Sequence, residues 1–240
     1  VRPVDPPNAD MLTIMSLVHA YALGTAATIL QRVVPVGMVA SVNDNLLPFV
    51  VISTGDSAVE IYLHGGCVTS YTKGGVELLA HRRDSKLDGA KPISGGIPIC
   101  FPQFGPGALQ QHGFARNVDW ELASTTGGEE PSVLLRLTES EYTLAMWPHA
   151  FQCTYTVTLK SDRLATAFRV RNTGAASFDF TAALHSYLAV SSVKSIELVG
   201  DFEGAAYLDK LDGQTKRAPA AALRICAATD AVYRGVSGDV

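Results

Sequence analysis

No run of lysine or arginine longer than the pair Arg82-Arg83 occurs in the 240 residues, and the formal net charge is −4. Recognition of duplex nucleic acid depends on a basic stripe that neutralises phosphates, so that class of partner is excluded. A small anionic substrate is not, because two or three well-placed cations satisfy one phosphate. Charged residues are scarce at 18% against 47% hydrophobic, the balance of a buried core rather than of a disordered chain. Cysteine is scarce as well. Cys67, Cys100, Cys153 and Cys226 form no CxxC pair, which argues against a zinc knuckle or thioredoxin-type chemistry and predicts buried free thiols in a reducing compartment. GxSxG and GxGxxG are both absent, so neither a nucleophile elbow nor a dinucleotide loop is expected, and Gly55-Asp56-Ser57 reads as a strand-initiating turn.

Acidic residues are missing from Met11 to Val42, and residues 12–30 are almost wholly apolar or small, with Arg32 behind them. Such a stretch fits the apolar part of a targeting peptide, a marginal membrane anchor, or an ordinary N-terminal strand or helix. Residues 1–45 are therefore expected to lie outside the core, and residues 46–240 to form one domain.

That domain reads as β. Short alternating runs recur between Gly, Asp and Asn punctuation: Phe49–Thr54, Ala58–Leu63, Val133–Leu137, Leu164–Arg171, Phe178–Leu184 and Ser195–Val199. The clearest is Phe151–Leu159 (FQCTYTVTL), where aromatic and β-branched residues alternate with polar ones. No helical periodicity of useful length follows residue 46. The spacing predicts an all-β sandwich or barrel.

Residues 91–120 break the pattern. Gly95, Gly96, Gly105, Gly107 and Gly113, with Pro92, Pro98, Pro102 and Pro106, forbid a regular helix or central strand there. Phe101, Phe104, Gln111, His112, Phe114 and Arg116 interleave through it. A long irregular loop in a compact domain needs partners for its backbone and often carries function. Gly95-Gly96 has no helix behind it, so a phosphate cradle of the nucleotide-binding kind is a poor reading.

Three segments, PISGGIPICFPQFGP, QQHGFARNVDW and LHSYL at residues 184–188, closely resemble the hexose-6-phosphate mutarotases, the glucose-6-phosphate 1-epimerase branch of the aldose 1-epimerase family. The similarity runs from about Leu46 through LHGGCVTSY to about Asp230. It implies a large antiparallel β-sandwich of the galactose-mutarotase type that interconverts the α and β anomers of a hexose 6-phosphate. It further implies His185 as general acid on the ring oxygen, Gln111 and Arg116 as phosphate ligands, His112 lining the site, and Asp230 on sugar hydroxyls. The PISGGIP variant resembles a branch of photosynthetic organisms, which points to a plastid, with the cytoplasm as the alternative. A monomer is expected.

The residue types suit the reaction. Ring opening takes a proton from the anomeric hydroxyl and delivers one to the ring oxygen, and an imidazole titrating near neutrality serves that exchange without metal, nucleotide or other cofactor. Arg116 offers a planar fork of donors for a phosphate dianion. Phe101, Phe104 and Phe114 either pack the loop or meet the sugar's apolar face. His64, His81 and His149 are read as structural. Glu139, Glu141, Glu197 and Glu203 show no paired arrangement, so glycoside hydrolysis is not supported.

Two departures from the resemblance matter. Ser94 stands where many members of the family carry a phosphate-binding arginine, so Arg82 or Lys91 is expected to supply that charge. The family's general-base glutamate would lie beyond Val240, so the fold is expected to be incomplete at its C-terminus and this chain to have little mutarotase activity. A non-catalytic sugar-phosphate-binding sandwich is the second reading.

Overall fold

The computed structural model describes residues 38–236; the targeting or anchor expectations for residues 12–30 lie outside them. No helix among the described residues is long and apolar enough to cross a membrane. The chain divides into two compact units that meet at residues 187 and 188.

The first unit is a β-sandwich. One sheet is an antiparallel meander of β1 (Met38–Val42), β2 (Pro48–Thr54), β3 (Ser57–Tyr62), β4 (Val68–Lys73) and β5 (Val76–Glu77), in that spatial order. Residues 78–120 follow and carry the short β6 (Ile99–Cys100). The second sheet contains β7 (Glu121–Thr126), β8 (Ser132–Thr138), β9 (Phe151–Leu159) and β10 (Leu164–Asn172), ordered β10-β9-β8-β7 and again antiparallel throughout. A short helix, α1 (Glu141–Met146), sits between β8 and β9, its first turn closed by a capping box between Ser140 and Thr143.

Why the sheets face one another follows from the period-2 pattern. On β9, Phe151, Cys153, Tyr155, Val157 and Leu159 are buried while Gln152, Thr154, Thr156 and Thr158 between them are only half-buried. Val133 and Leu135 of β8 join that apolar face, and Val50, Ile52, Val59 and Ile61 of β2 and β3 complete one hydrophobic cluster from the opposite sheet. Full burial of each such side chain is worth roughly 1.5–3 kcal/mol, so this single cluster dominates the unit's stability.

Met38–Val42 corrects the expected boundary at residue 46. The strand pairs with β2 from Met38↔Ile52 to Val42↔Pro48, and Met38 is buried in the core. The apolar stretch upstream hides its alternation. Phe178–Leu184 is also corrected: only Ala183–Leu184 forms a strand, β11. The cysteines divide. Cys67, Cys100 and Cys153 are buried free thiols and Cys226 is exposed. Burial pushes the Cys67 thiol up to about 12 and the Cys100 thiol to about 11, so both stay protonated and inert.

The second unit, residues 188–236, is built of short strands. β12 (Glu197–Val199) pairs with β15 (Ala222–Arg224), and β13 (Ala206–Asp209) lies between β14 (Gln214–Arg217) and β16 (Ala231–Tyr233). Tyr207 and Tyr233 stack across the last pair with ring centroids 4.8 Å apart.

Candidate active site

The segment LHSYL is held by the segment PISGGIP. β11 pairs antiparallel with β6, and the ladder continues irregularly on both sides. Thr181 N donates to Pro102 O, His185 N to Pro98 O and Tyr187 N to Gly96 O, at 2.8–2.9 Å. Residues 185 and 187 therefore share a face, and the two rings stack 5.1 Å apart. The glycine before Ile97 is a packing requirement. Gly96 has φ +65°, and a Cβ there would lie 2.0 Å from Val68 O. The pair Gly95-Gly96 thus brings the loop onto β4, where Ile97 N donates to Val68 O at 2.8 Å.

The next turn of the loop brings up a second imidazole. Phe114 N and Ala115 N both donate to Phe101 O, folding residues 102–113 back on themselves. Gln103 braces the interior, donating to Gly105 O and Leu109 O and accepting from Leu109 N. His112 is held at φ +69°, a left-handed conformation that few non-glycine residues adopt. Its N–H donates to Gly105 O at 3.0 Å, and Gly105 N donates back to His112 Nδ1 at 3.1 Å. Accepting at Nδ1 leaves the neutral ring with its proton on Nε2. His112 then meets His185 edge-to-face, ring centroids 5.6 Å apart. Phe104 lies 5.4 Å from His112 and 6.2 Å from His185, with 44% of its surface open. Local strain of this kind is kept only where the surroundings enforce it.

Gly113 carries much of that enforcement. A Cβ there would stand 2.2 Å from Phe101 O at φ +69°. Gly113→Ala is predicted to destabilise the protein by more than about 1–2 kcal/mol, the left-handed penalty alone, with the clash added. Thermal unfolding checks this, and an unchanged midpoint contradicts the account of the loop.

The three loop phenylalanines separate. Phe101 and Phe114 are fully buried, whereas Phe104 faces the imidazoles. His81 Nε2 bonds Thr69 O at 2.7 Å, and His149 packs on Trp147 and Phe178.

Gln111 and Arg116 lie on another wall. A cleft of 430 Å³ is lined by residues 89–92, by Gln110, Gln111, Arg116 and Asn117, and by His64 and Tyr142. Arg116 belongs to a 3₁₀ turn at Ala115–Asn117, and its Nη2 donates to Gln111 O at 2.9 Å. Consecutive residues of one loop thus serve both places, Gln111 the cleft and His112 the imidazole pair. His185 and His112 are not among the cleft's walls.

The remaining expected residues are placed differently. Arg82 is exposed, with Nε and Nη2 both bound to Asp84 at 3.0 and 2.8 Å, and it does not line the cleft. Two of its donor nitrogens are thus held by Asp84 on the exposed surface. Asp230 lies in the second unit, its carboxylate paired with Lys210 Nζ at 2.8 Å.

His64 and Tyr142, neither of them a sequence-predicted site residue, also line the cleft. His64 Nδ1 is paired with Asp119 Oδ1 at 2.9 Å, and its side chain is only 7% exposed. The hydrogen bond from His64 holds the Asp119 carboxyl below its ordinary value. Tyr142 comes from α1, and its hydroxyl accepts from Gln110 Nε2 at 3.1 Å. Among the described residues no three His, Cys, Asp or Glu side chains converge as metal ligands do.

Comparison with known proteins gives this geometry a family. The profile of the family described as Aldose 1-epimerase matches residues 48–212, more than half of the chain. The chain belongs to the aldose 1-epimerase family. A protein of Cenchrus ciliaris is 39% identical over 168 residues, 65% of this chain and 51% of its own length. One of Escherichia coli K12 is 29% identical over 171 residues, 69% of this chain and 56% of its own. Both are named "Putative glucose-6-phosphate 1-epimerase". The chain therefore spans about half the length of the curated relatives it matches. Among solved structures, "a putative mutarotase" from Salmonella typhimurium superposes with a TM-score of 0.71 at 27% identity, over 78% of this chain and 63% of that one. A Synechocystis protein at 23% identity superposes with a TM-score of 0.69, over 91% and 74% of the two chains, and shows the same fold. The aldose 1-epimerase β-sandwich is thus the architecture of this chain.

Proposed function

We propose that this aldose 1-epimerase family member binds a hexose 6-phosphate and serves the interconversion of its anomers, with His185 as the acid. The observation that carries the reading is the imidazole pair. His185 and His112 meet edge-to-face beside the open ring of Phe104, and the ring nitrogens of His185 bond to no other described residue. An apolar ring next to a proton-exchanging group suits a pyranose, which offers one face of C–H bonds and an edge of oxygens.

In this account His185 gives a proton to the ring oxygen as the C1–O5 bond breaks, and the anomeric hydroxyl gives its own to a water molecule. Rotation about C1–C2 turns the aldehyde. As O5 attacks C1 on the other face, its hydroxyl proton returns to His185 and the water returns a proton to the new anomeric oxygen. His112, donor at Nε2 and fixed by Gly105, hydrogen-bonds the sugar oxygens. The names of the grass and Escherichia coli relatives support a 6-phosphate on the substrate. Gln111 and Arg116 are its proposed ligands. The grass relative is also in keeping with a plastid location.

Two-dimensional exchange NMR on glucose 6-phosphate tests the proposal. Anomer exchange faster than in buffer, and favoured over free glucose, supports the isomerase reading against the low activity expected from the sequence. Saturable binding with exchange at the buffer rate would replace it with the binding-only sandwich.

A further inference from the structure

We propose that the pair His64–Asp119 makes ligand binding in the 430 Å³ cleft proton-linked, the imidazole taking up one proton as an anion arrives. This linkage rests on the hexose-phosphate reading above for the identity of the anion, and adds to it a control of affinity by pH.

The chain path builds the pair. β3 ends at Tyr62 and β4 begins at Val68. Between them Gly65 N donates to Val118 O and Trp120 N to Leu63 O, an antiparallel bridge that sets residue 64 opposite residue 119. Gly65 permits the approach, since a Cβ there would lie 2.9 Å from Arg116 O at φ +73°. His64 Nδ1 meets Asp119 Oδ1 at 2.9 Å, with the carboxylate 71% exposed and the imidazole only 7%. The carboxylate is on the solvent side, so the opposite edge of the ring faces inward. There Nε2 is buried without a hydrogen-bond partner among the described residues, on a side chain that lines the cleft. Arg116 Nε and Asn117 Oδ1, from the same walls, are likewise buried and unpaired. Folded proteins leave few such groups unsatisfied, and three around one cleft mark a place for a polar guest.

The empty cleft serves neither state of this imidazole. An ionised carboxylate can only accept, so Nδ1 donates to Asp119; the neutral ring then has a bare lone pair at Nε2 and the charged ring an N–H. Either, buried and unpaired, costs about 1–3 kcal/mol. The titratable groups on the cleft's walls besides His64 are Lys91, Arg116 and Tyr142, with no carboxylate among them. The two cations oppose a third positive charge, while Asp119 favours it from the other side of the ring. An anion reverses that balance. It offsets Lys91 and Arg116 and offers an oxygen to Nε2–H, a charge-assisted hydrogen bond. Anion and proton therefore reinforce each other's binding. Because binding raises the proton affinity of His64, the gain is whole below the titration of the free imidazole. It is lost as pH rises through that of the bound form.

Isothermal titration of the 240-residue chain with glucose 6-phosphate and with inorganic sulfate tests the linkage. The series runs from about pH 6 to about pH 9, across and above the range in which imidazoles ordinarily change charge. The parent is expected to bind both anions about 10- to 100-fold more tightly than His64→Gln at the acid end, the worth of a charged hydrogen bond. At the alkaline end the two should agree within about twofold. Ionisation of the phosphate enters parent and variant alike and cancels in this ratio, and sulfate holds no proton over the range. Asp119→Asn, at an exposed position, should move the loss of advantage to lower pH. Histidine side-chain NMR of the parent needs no substitution: the His64 ring should titrate at higher pH with sulfate bound than without. A ratio constant with pH, or a His64 titration that bound sulfate leaves unmoved, overturns the linkage. Proton-linked sulfate binding without affinity for glucose 6-phosphate would keep the linkage and sink the hexose-phosphate reading. Binding of glucose 6-phosphate with anomer exchange and a pH-independent ratio would do the reverse, and a parent that binds neither anion sinks both.

Discussion

Replacing His185 by alanine is expected to lower protein-dependent anomer exchange on glucose 6-phosphate by about 10²–10⁴-fold, the usual contribution of a positioned acid–base group. The backbone of residue 185 is fixed by its donation to Pro98 O, and neighbouring residues 184 and 187 pair with residues 99 and 96. The substitution therefore removes an imidazole without releasing the segment. Affinity for the sugar phosphate should fall far less than the rate, because the phosphate is held by other residues. His185→Gln, which keeps a hydrogen-bond donor but cannot exchange a proton near neutrality, should be as slow as alanine. A rate loss in alanine alone would make His185 a positioning group.

Phe101→Ala is expected to cost about 3–5 kcal/mol of stability, the range for deleting a buried phenyl ring. Phe101 is fully buried, with Phe114, Trp147, Phe151, Phe168 and Phe180 all within 5.4–6.0 Å by ring centroid. These neighbours come from the loop, from the end of α1, from β9 and β10 and from the stretch ahead of β11. Phe114 and Phe151 are themselves fully buried, so the void cannot collapse cheaply on that side. The same residue's carbonyl takes both Phe114 N and Ala115 N, so the loop bearing His112 is anchored where the aromatic cluster is densest. Chemical denaturation of the alanine variant measures the loss; a change below about 1 kcal/mol would mean that the cluster relaxes around the gap.

Where hydrophobic alternation is clean, the chain's pattern predicts its structure closely. Phe151–Leu159 is a strand over the same residues that its alternation marks, and β10 extends only one residue past the expected Arg171. Composition marked residues 91–120 as irregular, while His185, His112, Gln111 and Arg116 were singled out only by the family resemblance of the motifs that carry them. Other features were not legible for identifiable reasons. β1 follows an apolar run in which alternation has no contrast. α1 is only six residues long, and its capping box uses Thr143 in place of the glutamate or glutamine that would have signalled it. His64 and Asp119 are 55 residues apart in sequence and meet through an antiparallel bridge in which Gly65 N donates to Val118 O and Trp120 N to Leu63 O. Nothing local distinguishes such a histidine from a structural one. Arg82 and Lys91 were equivalent candidates by charge, and only the Asp84 contact and the walls of the cleft separate them.

The central claim is that one ligand engages the imidazole pair and the Lys91–Arg116 cleft together. Histidine side-chain NMR of the 240-residue chain, titrated with glucose 6-phosphate and followed in parallel by phosphorus NMR, addresses it directly. The account predicts that the His112 and His185 resonances and the phosphate signal all move along one binding curve, and that Arg116→Ala shifts this common curve to higher ligand concentration. Movement of the phosphate signal while both imidazoles stay still would contradict it.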